Sequence, residues 1–256
     1  MTLPSGDQFE LAAGTHRLVV VEVGGGIREW DGVLLGYDAD EMCGSGRGQV
    51  LAPWPNRLAG GRYAWEGEDL QLPVNEVSTG SAIHGLVRWD SWRAVEHQPA
   101  RVVLEHVLHP QPGYPFALRL RVTYALSETG LSVRTGAENV GDRACPFGVG
   151  HHPYLLAPTG RVDDLVLDGE RVGERELDET RHEPGGWRIE VGEMTAWADE
   201  SWPWAQVFTG DLPDVGRRGL AVEPMTCPPQ AFQTGEGVIR LDPGERWSGE
   251  WGIEAA

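Results

Sequence analysis

The chain has 256 residues, of which 40% are hydrophobic and 23% charged, with 21 basic against 39 acidic side chains and a formal net charge of −18. That composition belongs to a globular protein with mass enough for a sizeable core, and its acidity excludes the clustered positive charge a nucleic-acid partner needs. Every basic residue is an arginine, so the absence of lysine excludes Schiff-base chemistry, pyridoxal anchoring and a P-loop together.

In chain order, residues 1–11 are polar and acidic and lack the basic and apolar segments of a secretion signal. No apolar run approaches the ~20 residues of a membrane span, so the expected compartment is the cytoplasm. Residues 16–23 read as a strand. The Gly24-Gly25-Gly26 after it runs into Ile-Arg-Glu-Trp, without the dinucleotide-binding spacing. Further strands are expected at 101–107, 116–126 and 131–138. In the second of these Leu118, Leu120, Val122 and Tyr124 alternate with Arg119, Arg121 and Thr123, the period of a half-buried strand. Residues 163–193 are highly charged and the least patterned, which predicts a surface excursion, with short strands at 165–168, 205–209 and 220–224. At the end, Trp247, Gly249, Trp251 and Ile253 alternate with Arg246, Ser248 and Glu250 after an Asp242-Pro243-Gly244-Glu245 turn. With 237–241 as the partner, this predicts a hairpin. No helical period persists, and 35 Gly and 18 Pro punctuate the chain at short intervals. The expectation is an all-β sandwich or barrel forming a single domain over residues 1–256. Cys43, Cys145 and Cys227, odd in number and scattered, read as free thiols.

Four segments concentrate residues with chemical capacity. In 53–63, Pro and Gly bracket Asn56 and Arg57 beside aromatic side chains; Arg57 is either a fixed fork of donors or a solvated surface charge. In 81–86, His84 lies between small and apolar residues, the setting of a structural histidine more often than a catalytic one. In 148–154, His151 and His152 are adjacent; on extended backbone they point to opposite faces and cannot chelate one metal. In 220–232, Glu223 ends an apolar strand before a proline-rich loop, where desolvation would raise its pKa toward that of a useful base. Neutral His, Glu and Arg together suit acid–base chemistry on a polar substrate. No Gly-x-Ser-x-Gly elbow supports a hydrolase.

Residues 55–63, 72–76 (Leu-Pro-Val-Asn-Glu), 83–86 (Ile-His-Gly-Leu), 150–154 (Gly-His-His-Pro-Tyr) and 223–232 (Glu-Pro-Met-Thr-Cys-Pro-Pro-Gln-Ala-Phe) resemble, in order, the motifs of the aldose 1-epimerases, or galactose mutarotases. The resemblance implies a large antiparallel β-sandwich, the galactose mutarotase-like supersandwich. It implies interconversion of the α and β anomers of a free hexose such as galactose or glucose through ring opening, without cofactor or metal. By position, Glu223 resembles the base that takes the C1 hydroxyl proton, His152 the acid that protonates the ring oxygen, and His84 the second histidine at that oxygen. Arg57, with Asn56 beside it, matches the arginine that binds sugar hydroxyls. Trp54 or Trp89 would line the apolar face of the sugar. The stretch between the His-Pro-Tyr motif and the final Glu is shorter than in the family; Asp178 best matches its hydroxyl-binding Asp. Two other readings remain open: a non-catalytic sugar-binding or regulatory protein on the same fold, and a hexose-6-phosphate 1-epimerase, which needs extra cations near the sugar. The expected partner is a small-molecule sugar, without nucleic acid or membrane, and the protein is expected to be a monomer or homodimer.

Overall fold

A computed structural model of the chain describes residues 3–255. Its frame is two antiparallel sheets packed face to face. The larger has nine strands in the order Glu170–Arg171, Val166–Leu167, Trp187–Val191, Met194–Ala198, Arg246–Glu254, Gly130–Asn139, Leu118–Ser127, Arg101–Leu108 and Arg93–Gln98. The second has six, with Asp178–His182, Trp204–Phe208, Gly219–Met225, Gly150–His151 and Val50–Leu51 in a row and Tyr154–Leu156 also paired to Gly219–Met225. A three-stranded sheet (Gln8–Ala13, His16–Val21, Ile27–Trp30) and three two-stranded ribbons complete it; the one α-helical turn among the described residues is Ala231–Thr234. This is the all-β antiparallel architecture expected. Among the described residues no helix is long and apolar enough to cross a membrane.

The alternation in the sequence produces the packing. Leu118, Leu120, Val122 and Tyr124 are all at most 1% exposed, whereas Arg119 and Arg121 point to water. Burying each such apolar side chain stabilises the fold by roughly 1.5–3 kcal/mol. His151 shows how the sheets meet. Leaving the six-stranded sheet, its ring approaches Trp251 of the nine-stranded one (centroids 5.0 Å apart) and Nε2 lies 2.8 Å from Thr135 Oγ1. The three cysteines are buried, and none is in a disulfide.

Two expectations need correction. Residues 239–241 do form a strand and the turn closes, with Glu245 N–H donating to Asp242 C=O at 2.8 Å. However, Ile239–Leu241 pairs with Cys145–Phe147, while Arg246–Glu254 pairs with Gly130–Asn139 and Met194–Ala198. The two segments straddle the turn in different sheets, so there is no hairpin. Nor is 163–193 merely a surface excursion: it supplies four strands, and Leu167, Val172, Leu177, Trp187, Ile189 and Val191 are buried. The other predicted strands are present with ends shifted by a residue or a few.

Candidate functional site

Strand Gly219–Met225 is buried along its whole length, covered on both faces. Leu220 and Val222 join the main core, while Ala221 packs with Tyr154 and Val215 on the opposite side. Period two therefore puts Glu223 on the face away from the main core, where it lines a cavity of about 360 Å³. Arg57, Asn56, His84, His152 and Asp178 line the same cavity. The six residues given a catalytic or hydroxyl-binding role by the resemblance thus converge on one site, although they are spread from position 56 to position 223.

Glu223 is 2% exposed, and its Oε1 lies 3.4 Å from His152 Nε2. Its Oε2 and His152 Nδ1 have no hydrogen-bond partner. Burial raises the Glu223 pKa well above the ordinary carboxyl value; the Asp178 carboxylate adds to the rise and Arg57 opposes it. Burial, and then Arg88, pulls His152 down to about 3. Both causes favour the same state of the pair, a neutral carboxyl beside a neutral imidazole. The His152 ring stacks on Tyr154 (centroids 4.8 Å, planes 11° apart), which fixes its plane.

Asn56 and His84 are held by an unusual backbone. Both are non-glycine residues in the left-handed region, with φ of 54° and 62°, which costs on the order of 1–3 kcal/mol each. They compensate each other: His84 N–H donates to Asn56 C=O at 3.0 Å, and Asn56 N–H donates to His84 Nδ1 at 3.2 Å. Nδ1 therefore accepts, and the neutral ring carries its proton on Nε2. Gly85 follows at φ 71° with its Cα so close to Ala52 that a Cβ would stand 2.0 Å from the Ala52 carbonyl oxygen. Burial, the neighbouring His152 and the two arginines lower the His84 pKa well below its usual value.

Arg57 is gripped by Glu76, which accepts from Nε at 2.7 Å and from Nη2 at 2.9 Å. This bidentate fork leaves the Nη1 edge facing Asp178, 4.0 Å away. Asp178 is set by a row across three strands. Gln206 sits opposite Glu223 on one side and Thr180 on the other, donates Nε2 to Asp178 Oδ1 and accepts from the Thr180 hydroxyl at 2.5 Å. The shortened segment thus still delivers an aspartate to the cavity, on an edge strand.

The sequence did not assign roles to Glu76, Arg88, Tyr154 or Gln206, although Glu76 stands in a quoted motif and Tyr154 follows the histidine pair. Neither tryptophan proposed for the sugar face lines the cavity. Trp54 is buried against Phe232, and Trp89 is half exposed beside Arg88; Tyr154 and Phe208 are the aromatic side chains in the wall. His151 faces the core and not the cavity, as opposite facing on extended backbone requires.

The model of the family described as aldose 1-epimerase matches residues 7–177. The uncharacterized protein YihR of Escherichia coli K12 is 35% identical, over 94% of this chain and 91% of its own length. Among solved structures, the GalM/aldose epimerase homologue from C. elegans superposes with a TM-score of 0.81 at 16% identity, covering 96% of this chain and 98% of that one. A galactose 1-epimerase from Lactobacillus acidophilus NCFM gives 0.74 at 18% identity, covering 97% and 94%. These structural likenesses match the supersandwich fold. The family match, spanning two thirds of the sequence, and the YihR identity show that this chain belongs to the aldose 1-epimerase family.

Proposed function

We propose that the protein is a cofactor-independent aldose 1-epimerase that opens and recloses the ring of a free aldohexose, galactose or glucose being the reference substrates. The observation that carries this reading is the buried Glu223–His152 pair, 3.4 Å apart, in the wall of a cavity that also presents Arg57 and Asp178.

Ring opening removes a proton from O1, forms the C1 carbonyl, breaks the C1–O5 bond and places a proton on O5. A base and an acid must act together. With the ring sugar bound, Glu223 as carboxylate takes the O1 proton and His152 as imidazolium gives one to O5. The pair is then a neutral carboxyl beside a neutral imidazole, the state that burial favours. Rotation of the aldehyde about C1–C2 and the reverse transfers close the ring on the other carbonyl face. No net proton enters or leaves. His84, with its proton on Nε2, is a donor at the ring-oxygen end. Arg57, Asn56 and Asp178 are the hydroxyl-binding side, the arginine fixed by Glu76. Each acid–base partner is worth about 10²–10⁴-fold.

The test is polarimetry of freshly dissolved α-galactose and α-glucose. The wild type is expected to shorten the approach to equilibrium, and Glu223→Gln to abolish the acceleration. Binding of either sugar without acceleration by the wild type would instead favour the non-catalytic sugar-binder.

A further inference from the structure

His152 is placed as the acid at the ring oxygen, yet no hydrogen bond to its second ring nitrogen orients it. His84 is oriented through Nδ1, which accepts from Asn56 N–H. The corresponding nitrogen of His152 is buried without a partner. The aim of its Nε2 therefore comes from packing. Stacking on Tyr154 fixes the plane of the ring but leaves it free to turn within that plane. The in-plane stop is Gly46. A Cβ there would stand 2.9 Å from His152 Cδ2, the ring carbon next to Nε2, so the bare backbone closes against the ring edge. Two backbone hydrogen bonds dock the same loop on the histidine: Gly48 N–H donates to His152 C=O at 2.8 Å, and His152 N–H to Gln49 C=O at 3.3 Å.

The loop reaches the ring through three left-handed positions, Ser45, Gly46 and Gly48, with φ of 51°, 70° and 70°. Ser45 carries a side chain, and such a residue keeps this conformation only where its surroundings hold it. The holder is distant in sequence. The Ser45 hydroxyl donates to the carboxylate of Asp214, whose two oxygens lie 2.6 and 2.8 Å away. Arg47, 8% exposed, donates to the Gly44 and Gly36 carbonyls at 3.2 and 3.0 Å and places Nη2 3.9 Å from the same carboxylate. Asp211 and Leu212, just before Asp214, line the cavity together with Ser45, so the clasp joins two loops of its wall. We propose that Asp214 is a positioning residue: through Ser45 it holds Gly46 against the His152 ring and keeps Nε2 in line with Glu223 and the sugar's ring oxygen. The proposal rests on the mutarotase reading and adds to its machinery. With the clasp broken, the ring spends less time in the productive orientation, and kcat falls in proportion. KM should hold, because Arg57, Asn56 and Asp178 are set by other contacts, from Glu76, His84 and Gln206.

The experiment measures α/β exchange of galactose and glucose by NMR magnetisation transfer in the full chain, in Asp214→Ala, Asp214→Asn and Ser45→Ala, and in Asp214→Ala combined with Ser45→Ala. In the same proteins without sugar it reads the imidazole Cδ2–Hδ2 signal of His152, assigned by its loss in His152→Asn. Asp214→Ala should lower kcat about tenfold, what one hydrogen bond to a charged group supports, with KM little changed. Ser45→Ala should do the same and the combined variant no more, since one bond is being broken. Asp214→Asn keeps an acceptor for the hydroxyl and should recover most of the loss. The His152 signal should move in both alanine variants and return toward its wild-type position in Asp214→Asn. A kcat or a His152 signal that stays at the wild-type value in the alanine variants would overturn the inference, as would a lowered Tm as their sole effect. So would a raised KM with kcat intact, which would make the clasp a sugar-binding element, or single losses that multiply. If Asp214→Ala does not fold, Ser45→Ala breaks the same bond and decides. If the wild type exchanges neither sugar, the mutarotase reading fails by itself. The His152 signal then decides the positioning alone: moved in Asp214→Ala it sustains the clasp, unmoved it overturns that too.

Discussion

Glu223 should cost the folded protein stability as pH rises, because burial holds its proton. An unfolded glutamate ionises near the ordinary value of 4.5, but in the folded protein burial holds the proton to higher pH. Between those two values the unfolded state loses its proton first. Rising pH therefore favours unfolding, and each pH unit in that window costs about 1.4 kcal/mol. Glu223→Gln has nearly the same shape and no proton to lose. It should match the wild type below about pH 4 and become the more stable of the two as pH rises, by about 2–4 °C in Tm for each kcal/mol at this chain length. Thermal unfolding of both proteins at several pH values, followed by tryptophan fluorescence, measures the crossover. A stability difference that stays the same at every pH would refute the reasoning, because it would show that folding leaves the proton affinity of Glu223 unchanged.

The remaining predictions concern the supports of the site. Glu76→Gln removes the fork that orients Arg57; KM for the sugar should rise about tenfold with little change in kcat, and an unchanged KM in steady-state kinetics would count against the positioning role. His151, pulled to about 3 by burial, binds its proton only on unfolding. Stability should therefore fall as pH drops below 6.5, and His151→Met should reduce that slope by about 1.4 kcal/mol per pH unit in acid denaturation. Gly85→Ala forces a Cβ onto the Ala52 carbonyl at a left-handed position. It should lower Tm by several degrees and displace His84; a variant as stable and active as the wild type would contradict the close approach.

The fold was legible where pattern and burial coincide. Leu118–Ser127 carries its alternation openly because one face meets the core and the other water. The C-terminal hairpin failed for a physical reason: a turn sets chain direction but not which strand lies alongside, and Ile239–Leu241 finds a better partner in Cys145–Phe147. In 163–193, charge obscured short strands at sheet edges, although Trp187, Ile189 and Val191 do alternate with Arg188 and Glu190. The site was legible as far as its motifs carry distinctive residues. Glu223, His152, His84, Asn56 and Arg57 each stand in one, and even the weakly matched Asp178 reaches the cavity. What the sequence could not supply was pairing. Glu76 is 19 residues from Arg57, and Gln206 is 28 from Asp178. Arg88 stands in none of the quoted motifs, and nothing in the sequence marked it as lining the cavity. Trp54 and Trp89 were chosen by residue type alone, and residue type does not say which side a ring faces.

The central claim is that Glu223 and His152 act as one acid–base unit. A double-mutant cycle on anomer exchange tests it most directly, with Glu223→Gln, His152→Asn and the double variant beside the wild type on α-galactose and α-glucose. The account predicts a loss of about 10²–10⁴-fold in each single variant and no greater loss in the double than in the worse single, since either change already breaks the proton exchange. Losses that multiply, or a single variant that keeps wild-type exchange, would contradict it.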